Sequence, residues 1–219
     1  METAQMEDPV SSNPQNEKTD PSAAPTQILP RVLLTDEEKE AEFQAGQSRV
    51  LKMIANNAPL SDILKNLVLL IESQSPEMLC SVLLLSADGN HIEHGAAPSL
   101  APQYVEAVNG SPIGPKHGSC GTAMYRGKPV VVTDIFTDPL WEDYRDLAER
   151  SGLRACWSTP ILSKKGKVLG SFAMYYREPR IPTGAEARFT TVATHIAGLA
   201  IEHYASPSTS GPSSIVRSY

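Results

Sequence analysis

Two glycine-centred turns place strong limits on how this chain can fold. The first, Asp88-Gly89, lies between the apolar segment 79–86 and a second segment at about 91–95. The other lies in the sequence KKGK, between the apolar segments 155–163 and 168–176. Turns this short join antiparallel strands, because parallel strands need a crossover of about a dozen residues or more. The sequence therefore predicts a sheet built from antiparallel hairpins.

Helical patterns lie on both sides of these strands. Apolar residues recur at helical spacing over 37–56 and again after Ser61, which is the expected N-cap of the second helix. A last helix is expected over about 184–205. Shorter segments predict helices at 99–110, near Ser119 and at 139–152, and a strand at 128–135. Strands paired by short turns and bracketed by helices are typical of an α+β fold with an antiparallel sheet.

The 219 residues divide into one domain and two tails. Residues 1–35 are acidic and proline-rich and contain few large apolar side chains, so we expect them to be disordered. Residues 206–219 are rich in Ser and Pro and are expected to behave in the same way. The segment 36–205 has enough apolar residues for one packed domain.

The charge distribution excludes several classes of protein. The net charge is -6, but residues 1–43 hold ten acidic and three basic side chains, so the remainder is close to neutral. A domain without a basic surface is not expected to bind nucleic acid. The N-terminus lacks the features of a secretory signal, and the densest apolar run, MLCSVLLL, is far shorter than a membrane helix of about 20 residues. We therefore expect a cytoplasmic protein that does not interact with a membrane.

Cysteine usage argues against two further possibilities. Cys80, Cys120 and Cys156 are widely separated and form no C-x-x-C pair. An odd number of scattered cysteines does not indicate a disulfide framework, and the spacing does not fit a zinc site. No metal site is expected.

A series of motifs after residue 117 points to a known family. The motifs are G-x-C-G-x-A at 118–123, G-x-P-V-V-V-x-D-I at 127–135, D-P-x-W at 138–141, GLRACWSTPI at 152–161, GKVLGSFAMYY at 166–176 and AIEH at 200–203. With the two helices and the hairpin that precede them, they resemble a GAF domain of the bacterial sensory type. The resemblance covers about residues 45–204.

The resemblance implies a fold and a function. The fold would be a central antiparallel sheet with the outer N- and C-terminal helices on one face and a ligand pocket on the other. Members of the family bind small molecules such as cyclic nucleotides, nitrate, haem or bilins, and they commonly form dimers. For this chain we expect a small-molecule ligand of unknown identity, a homodimer through the outer helices and a signalling partner protein. The cofactor, if one is bound, is unknown.

Cys120 raises an alternative, because some GAF proteins are free methionine-(R)-sulfoxide reductases with a catalytic cysteine in a similar G-x-C-G-T-A motif. Cys120 is expected in the first turn of a helix, where the helix dipole favours a thiolate, and His117 lies nearby. The chemistry also needs a second thiol. The reductases place theirs about ten residues upstream or twenty-four downstream, near Gly110 and Tyr144 here. Cys156 is off that spacing but could approach Cys120 in space.

Six residues are the candidate ligand contacts: Ser119, Cys120, Asp134, Trp141, Tyr144 and Trp157. Trp141 and Tyr144 are three residues apart and share a helix face. Asp138 is the expected N-cap of that helix. Cys156 and Trp157 are adjacent on a strand and must face opposite sides of the sheet, and the expectation places Trp157 in the pocket.

The sequence predicts a small-molecule-binding sensory GAF domain that acts in signal transduction, without catalysis of its own. Two alternatives stay open. One is the reductase that uses Cys120. The other is a ligand-free dimerisation module, or a fragment of a sensor kinase, cyclase or regulator, because only about fifteen residues follow the domain.

Overall fold

A five-stranded antiparallel sheet forms the centre of the structure, a computed structural model that describes residues 35–205. The strands are β1 (Leu79–Leu85), β2 (Ile92–Ala96), β3 (Val130–Val132), β4 (Ala155–Leu162) and β5 (Val168–Tyr176). Their order across the sheet is β2-β1-β5-β4-β3, and every neighbouring pair is antiparallel. The α+β fold expected from the sequence is confirmed. The predicted tails lie outside the described residues, apart from Thr35.

Both predicted hairpins are present. The first turn places Gly89 at φ 75°, and the second places Gly166 at φ 77°. Only glycine adopts this left-handed conformation without steric cost, which explains why the two turns could be recognised from sequence. The hairpins form the outer pair β1–β2 and the inner pair β4–β5.

Six α-helices and one short 3₁₀ helix accompany the sheet in the part of the chain that is described. They are α1 (Asp36–Ala55), α2 (Leu60–Glu72), α3 (Pro102–Val108), α4 (Gly118–Arg126), the 3₁₀ helix Pro139–Tyr144, α5 (Arg145–Arg150) and α6 (Gly184–Ala205). None of these helices is long and apolar enough to cross a membrane. Two expectations need correction. Pro59, not Ser61, is the N-cap of α2, because the Pro59 carbonyl already accepts the first helical hydrogen bonds. The helix expected over 139–152 is divided into the 3₁₀ helix and α5.

The two faces of the sheet carry separate apolar cores. On one face, α2 and α6 pack against the strands and α1 packs outside them. On the other face, α3, α4 and the 3₁₀ helix cover the strands. Alternation along β5 shows the division, because Phe172 and Met174 belong to the first core and Ala173 and Tyr175 to the second. The second face, away from the long helices, is the side on which the resemblance placed a pocket.

A buried carboxylate joins β5 to the start of α6. Glu186 is almost fully buried and accepts hydrogen bonds from Tyr176 Oη at 2.7 Å and from the Thr183 amide at 2.7 Å. The Arg180 guanidinium lies 2.9 Å from the same carboxylate. Burial by itself raises the pKa of Glu186, but the hydrogen bonds and the Arg180 charge outweigh it, so the pKa lies below its ordinary value of 4.5.

This carboxylate predicts an acid-dependent loss of stability. Because the folded pKa of Glu186 is depressed, its contribution is present above pH 4.5 and is lost as the pH falls through the folded pKa. In Glu186→Gln, we expect a lower free energy of unfolding at pH 7 and a smaller further loss between about pH 4.5 and 3. Urea unfolding curves at several pH values measure both. If the free energies of unfolding of the wild type and the variant fall by equal amounts over this pH range, the prediction is contradicted.

Candidate functional site

The start of α4 lies against the 3₁₀ helix. Gly118, the first residue of α4, has φ 57°, and the indole ring of Trp141 packs over it. A β-carbon at this position would sit 3.7 Å from the ring, which is ordinary contact, so the positive φ is what favours glycine here. Asp138 caps the 3₁₀ helix as expected, with its carboxylate accepting the Leu140 amide at 2.8 Å.

Ser119 connects three elements at this point. Its Oγ accepts the indole N–H of Trp141 at 3.0 Å and donates to the backbone carbonyl of Cys156 at 3.0 Å. The serine is fully buried. One hydroxyl thus ties the first turn of α4 to the 3₁₀ helix and to β4, and it satisfies two polar groups that have no access to water.

Removal of this hydroxyl is expected to be costly. In Ser119→Ala, the Trp141 N–H and the Cys156 carbonyl both lose their shared partner while they stay buried, which predicts a loss of about 2–4 kcal/mol in the free energy of unfolding. Urea unfolding measures the loss. Thr191→Ala, which deletes an exposed hydroxyl bonded to a helix carbonyl, is the matched control and should change stability by less than about 0.5 kcal/mol. Equal losses in the two variants would contradict the central role of Ser119.

A small cavity lies beneath this junction. Its wall includes Tyr104, His117, Ser119, Cys120, Trp141 and Tyr144. The volume of the cavity is about 30 Å³, which is room for roughly two water molecules. The wall is mostly aromatic and apolar with a few hydrogen-bonding groups, which is the composition of a small-molecule site.

His117 and Tyr144 close one side of the cavity. The Nδ1 atom of His117 is 2.8 Å from the Tyr144 hydroxyl, and the two rings meet edge to face. His117 is also the N-cap residue of α4, and its backbone N–H donates to the Thr122 hydroxyl. In the reductase alternative, the position of His117 near Cys120 in the sequence predicts that it assists the cysteine. In the structure its ring nitrogen contacts Tyr144 instead.

Cys120 lies at the centre of a buried group of thiols and hydroxyls on the cavity face of the sheet. Its sulfur lies 3.4 Å from the Tyr175 hydroxyl, and Tyr175 is the strand partner of Cys156. Ser158 and Ser171 lie on the same face of the sheet, at positions that alternate with Cys156 and Tyr175. Both of these hydroxyls are buried and have no hydrogen-bond partner.

The surroundings of the two thiols give Cys120 a lower pKa than Cys156. The hydrogen bond from Cys156 is the main reason that the pKa of Cys120 is lowered to about 7, against an opposing effect of burial, and Tyr175, Ser158 and Ser171 lower it further. Burial, followed by the neighbouring Cys120, raises the pKa of Cys156 well above its ordinary range. Cys120 therefore becomes the thiolate of the pair, and Cys156 keeps its proton and donates it. This cause differs from the helix dipole expected from sequence.

The structure brings together four of the six candidate ligand contacts. Ser119, Cys120, Trp141 and Tyr144 all line the cavity. Asp134 does not, because it accepts the Phe136 amide at 3.1 Å and pairs with Arg154 at 3.2 Å.

Trp157 lies on the other face of the sheet, so its expected place in the pocket is corrected. It packs in the core beneath α2 and α6, with its ring 4.7 Å from Tyr176 and under the Arg180 guanidinium. Its neighbour Cys156 takes the cavity face.

Sequence reasoning missed Tyr104, Ser158, Ser171 and Tyr175 as members of the site. A signal for three of them was present, because Cys156 and Ser158 alternate on β4, and Ser171 and Tyr175 lie at even spacing on β5. Polar side chains at alternate positions of buried strands share one face. No group of three or more His, Cys, Asp or Glu side chains in residues 35–205 is arranged to hold a metal ion.

The sheet, the helical layer and the cavity on the opposite face define the α+β domain that was expected from sequence. The chain belongs to the GAF domain family, whose model matches residues 59–201. It is 40% identical over 170 residues to the methyl sulfide methyltransferase-associated sensor of Methanosarcina acetivorans, covering 78% of this chain but 17% of that protein.

Solved structures share the fold at low sequence identity. The GAF domain of a phosphoenolpyruvate-protein phosphotransferase from Coxiella burnetii is 18% identical, with a TM-score of 0.59 over 75% of this chain and 96% of that one. The free methionine-R-sulfoxide reductase of Neisseria meningitidis, solved with its substrate, is 16% identical, with a TM-score of 0.57 over 78% and 93% of the two chains.

Proposed function

We propose that this chain is a sensory domain that binds a small molecule in the cavity beneath α4 and has no catalysis of its own. The observation that carries the proposal is the cavity itself, walled by Trp141, Tyr144 and Tyr104 on the sheet face opposite the long helices. The similarity to a sensor of Methanosarcina acetivorans also supports it.

The size of the cavity limits how a ligand enters. Space for about two water molecules is too small for most metabolites. The segment 110–117 therefore has to move outward when a larger ligand binds. Gly110 and Gly118 bound this segment with φ of 81° and 57°, so its two ends are set by turns and not by regular helix or strand. Binding would then select an open form of the domain.

The sheet offers a path from the cavity to the helices. Cys156 and Tyr175 lie in the core on the cavity side of the sheet, and their neighbours Trp157 and Tyr176 lie in the core that contains α6. A shift of β4 or β5 on ligand binding would thus alter the packing of α6, which we propose as the contact to a signalling partner.

We further propose a homodimer through the outer helices. Leu51 on α1 is 42% exposed, and Tyr204 near the end of α6 is 38% exposed. Burial of such side chains between two subunits would stabilise a dimer. Light scattering after size-exclusion chromatography should give a dimer for the wild type and a monomer for Leu51→Glu. A wild-type monomer would contradict this part of the proposal. The cytoplasmic location stays a prediction.

Native mass spectrometry of the freshly purified protein is the experiment that tests ligand binding. A co-purified mass would identify the ligand, which can then be titrated into variants. We expect Trp141→Phe, in the cavity wall, to weaken binding by about tenfold. Trp157→Phe, on the opposite face, is the matched control and should bind as the wild type does. Equal affinity in both variants would place the ligand elsewhere and contradict the proposal.

A second candidate function is the reduction of free methionine-(R)-sulfoxide, and the position of Cys156 in the same buried cluster as Cys120 favours it. Cys156 would be the second thiol that the reaction needs. A thioredoxin-coupled assay on this substrate separates the two candidates. If the wild type turns over this substrate and Cys120→Ser does not, the proposal of a sensor without catalysis is wrong. If the wild type shows no turnover, the reductase hypothesis is wrong.

A further inference from the structure

Cys120 and Cys156 form a buried thiol pair that has access to the cavity through one member alone. Cys120 lines the cavity, whereas Cys156 lies behind it and is fully buried. The two cysteines are neighbours, because Ser119, next to Cys120, donates to the Cys156 carbonyl at 3.0 Å. Tyr175, the strand partner of Cys156, also lies 3.4 Å from the Cys120 sulfur. The third cysteine, Cys80, is fully buried in the core on the opposite face, beneath α2. A small reagent in the cavity would therefore meet Cys120 first.

The surroundings of Cys120 suit a sulfur that carries charge or gains an oxygen atom. Tyr175 offers its hydroxyl at 3.4 Å. Ser158 and Ser171 add two buried hydroxyls on the same face of the sheet, and neither has a hydrogen-bond partner. In an ordinary apolar core, unpartnered hydroxyls cost stability, so three hydroxyls around one sulfur indicate a site for an anionic or oxygenated sulfur.

The dimensions of the cavity restrict the oxidant. A volume that admits about two water molecules also admits hydrogen peroxide, which is little larger than water. A peptide disulfide such as glutathione disulfide is many times larger. His117 and Tyr144, joined at 2.8 Å, narrow the approach on one side.

We propose that Cys120 and Cys156 form a peroxide-oxidisable site, in which hydrogen peroxide converts the two thiols to a disulfide. The Cys120 thiolate attacks one peroxide oxygen, so an S–O bond forms and the O–O bond breaks, and the hydroxide that leaves becomes water with the proton that Cys120 lost on ionisation. Cys120 is then a sulfenic acid, oxidised by two electrons. The Cys156 sulfur attacks it, the S–S bond forms, and the sulfenic oxygen leaves with the Cys156 proton as water. Peroxide and two thiols thus give a disulfide and two water molecules.

The site shares the cavity proposed for the ligand, but its reaction with peroxide requires neither that ligand nor a sulfoxide substrate. Cys120 is the attacking sulfur because it faces the cavity and carries the lower pKa of the pair. Cys156 is the resolving sulfur because it can be reached only from Cys120. The oxidised and reduced forms differ in a covalent link between α4 and β4, next to the hydrogen bond from Ser119 to the Cys156 carbonyl.

Peptide mapping of the full chain tests the proposal. Reduced protein is treated with hydrogen peroxide, unfolded in iodoacetamide, digested and analysed by mass spectrometry. We expect a cross-linked pair of peptides that contain Cys120 and Cys156, while Cys80 is recovered alkylated. In Cys156→Ser we expect a dimedone adduct on Cys120 and no cross-link, and in Cys120→Ser we expect Cys156 to stay reduced.

Three results would overturn the proposal. They are an unmodified Cys120 after peroxide, a stable Cys120 sulfenic acid beside a reduced Cys156 in the wild type, and oxidation of Cys80 at the same rate as Cys120. Glutathione disulfide at the same concentration should modify Cys120 at least tenfold more slowly, and an equal rate would contradict the argument from cavity size. Circular dichroism checks that the variants fold. The wild-type map decides the question even if one of them does not.

Discussion

Replacement of Cys156 with alanine is expected to raise the pKa of Cys120 from about 7 towards its ordinary value of 9.0. The Cys156 hydrogen bond is the largest effect that lowers this pKa, while burial raises it. In the variant, burial is opposed by Tyr175, Ser158 and Ser171 alone. At a pKa near 9 the thiolate fraction at pH 7 would be about 1% instead of about one half, so the reaction of Cys120 with peroxide should slow by roughly 50-fold.

The measurement is the rate at which hydrogen peroxide oxidises Cys120 between pH 5 and 10, followed by peptide mass spectrometry. The wild-type rate should rise with a midpoint near pH 7, and that of Cys156→Ala with a midpoint near 9. Cys156→Ser is the matched control, since it keeps a hydrogen-bond donor beside Cys120 without a second thiol, and it should keep the midpoint near 7. A midpoint that stays near 7 in Cys156→Ala would show that Cys156 does not set the acidity of Cys120.

The fold was predictable because its limits are local in sequence. The turns at Gly89 and Gly166 determine two hairpins. Gly110 and Gly152, which follow the ends of α3 and α5, also have positive φ. Each of these glycines marks a conformation that few other residues adopt, so a single sequence carries the signal. The amphipathic patterns of α1 and α6 then predict one helix before the first strand and one after the last.

Which residues of β4 lie on the cavity side of the sheet was not predictable, for a physical reason. The side on which a strand residue lies is predicted from alternation between apolar and polar residues, but both faces of β4 are buried. Cys156 and Trp157 are both apolar enough for either core. The side is set by pairing with β5, where Cys156 lies opposite Tyr175 and Trp157 opposite Met174. This long-range register places Trp157 under Arg180 and leaves Cys156 beside Cys120.

Asp134 shows a different limit. It follows β3 in the sequence, close to the motif that contains Trp141, so proximity favoured a place in the pocket. Its carboxylate instead pairs with Arg154, twenty residues later in the chain, whose guanidinium also lies 4.9 Å from the centre of the Phe136 ring. A single sequence does not reveal which distant cation meets a loop carboxylate, whereas the helix cap of Asp138 is local and could be predicted.

Replacement of Gly170 with alanine is expected to lower the free energy of unfolding by about 3 kcal/mol and the melting temperature by roughly 6–12 °C. Gly170 lies in β5 at the centre of the sheet and is buried. A β-carbon here would overlap the backbone carbonyl oxygen of Leu83 and lie 3.1 Å from the Leu84 Cα. Because these atoms belong to the paired strand β1, the clash cannot be relieved by rotating a side chain, and the strands would have to separate locally.

Gly184→Ala is the matched control for this effect. Gly184 begins α6, is exposed, and has no atom within 4 Å of an added β-carbon, so this variant should unfold within about 0.5 kcal/mol of the wild type. Urea and thermal unfolding followed by circular dichroism measure both variants.

Because β5 separates the helical core from the cavity, Gly170→Ala should also weaken the contact of Cys120 with Tyr175 and slow peroxide oxidation of the thiol pair. Wild-type stability in Gly170→Ala would contradict the close approach of β1 and β5, and with it the strand order on which the site is built.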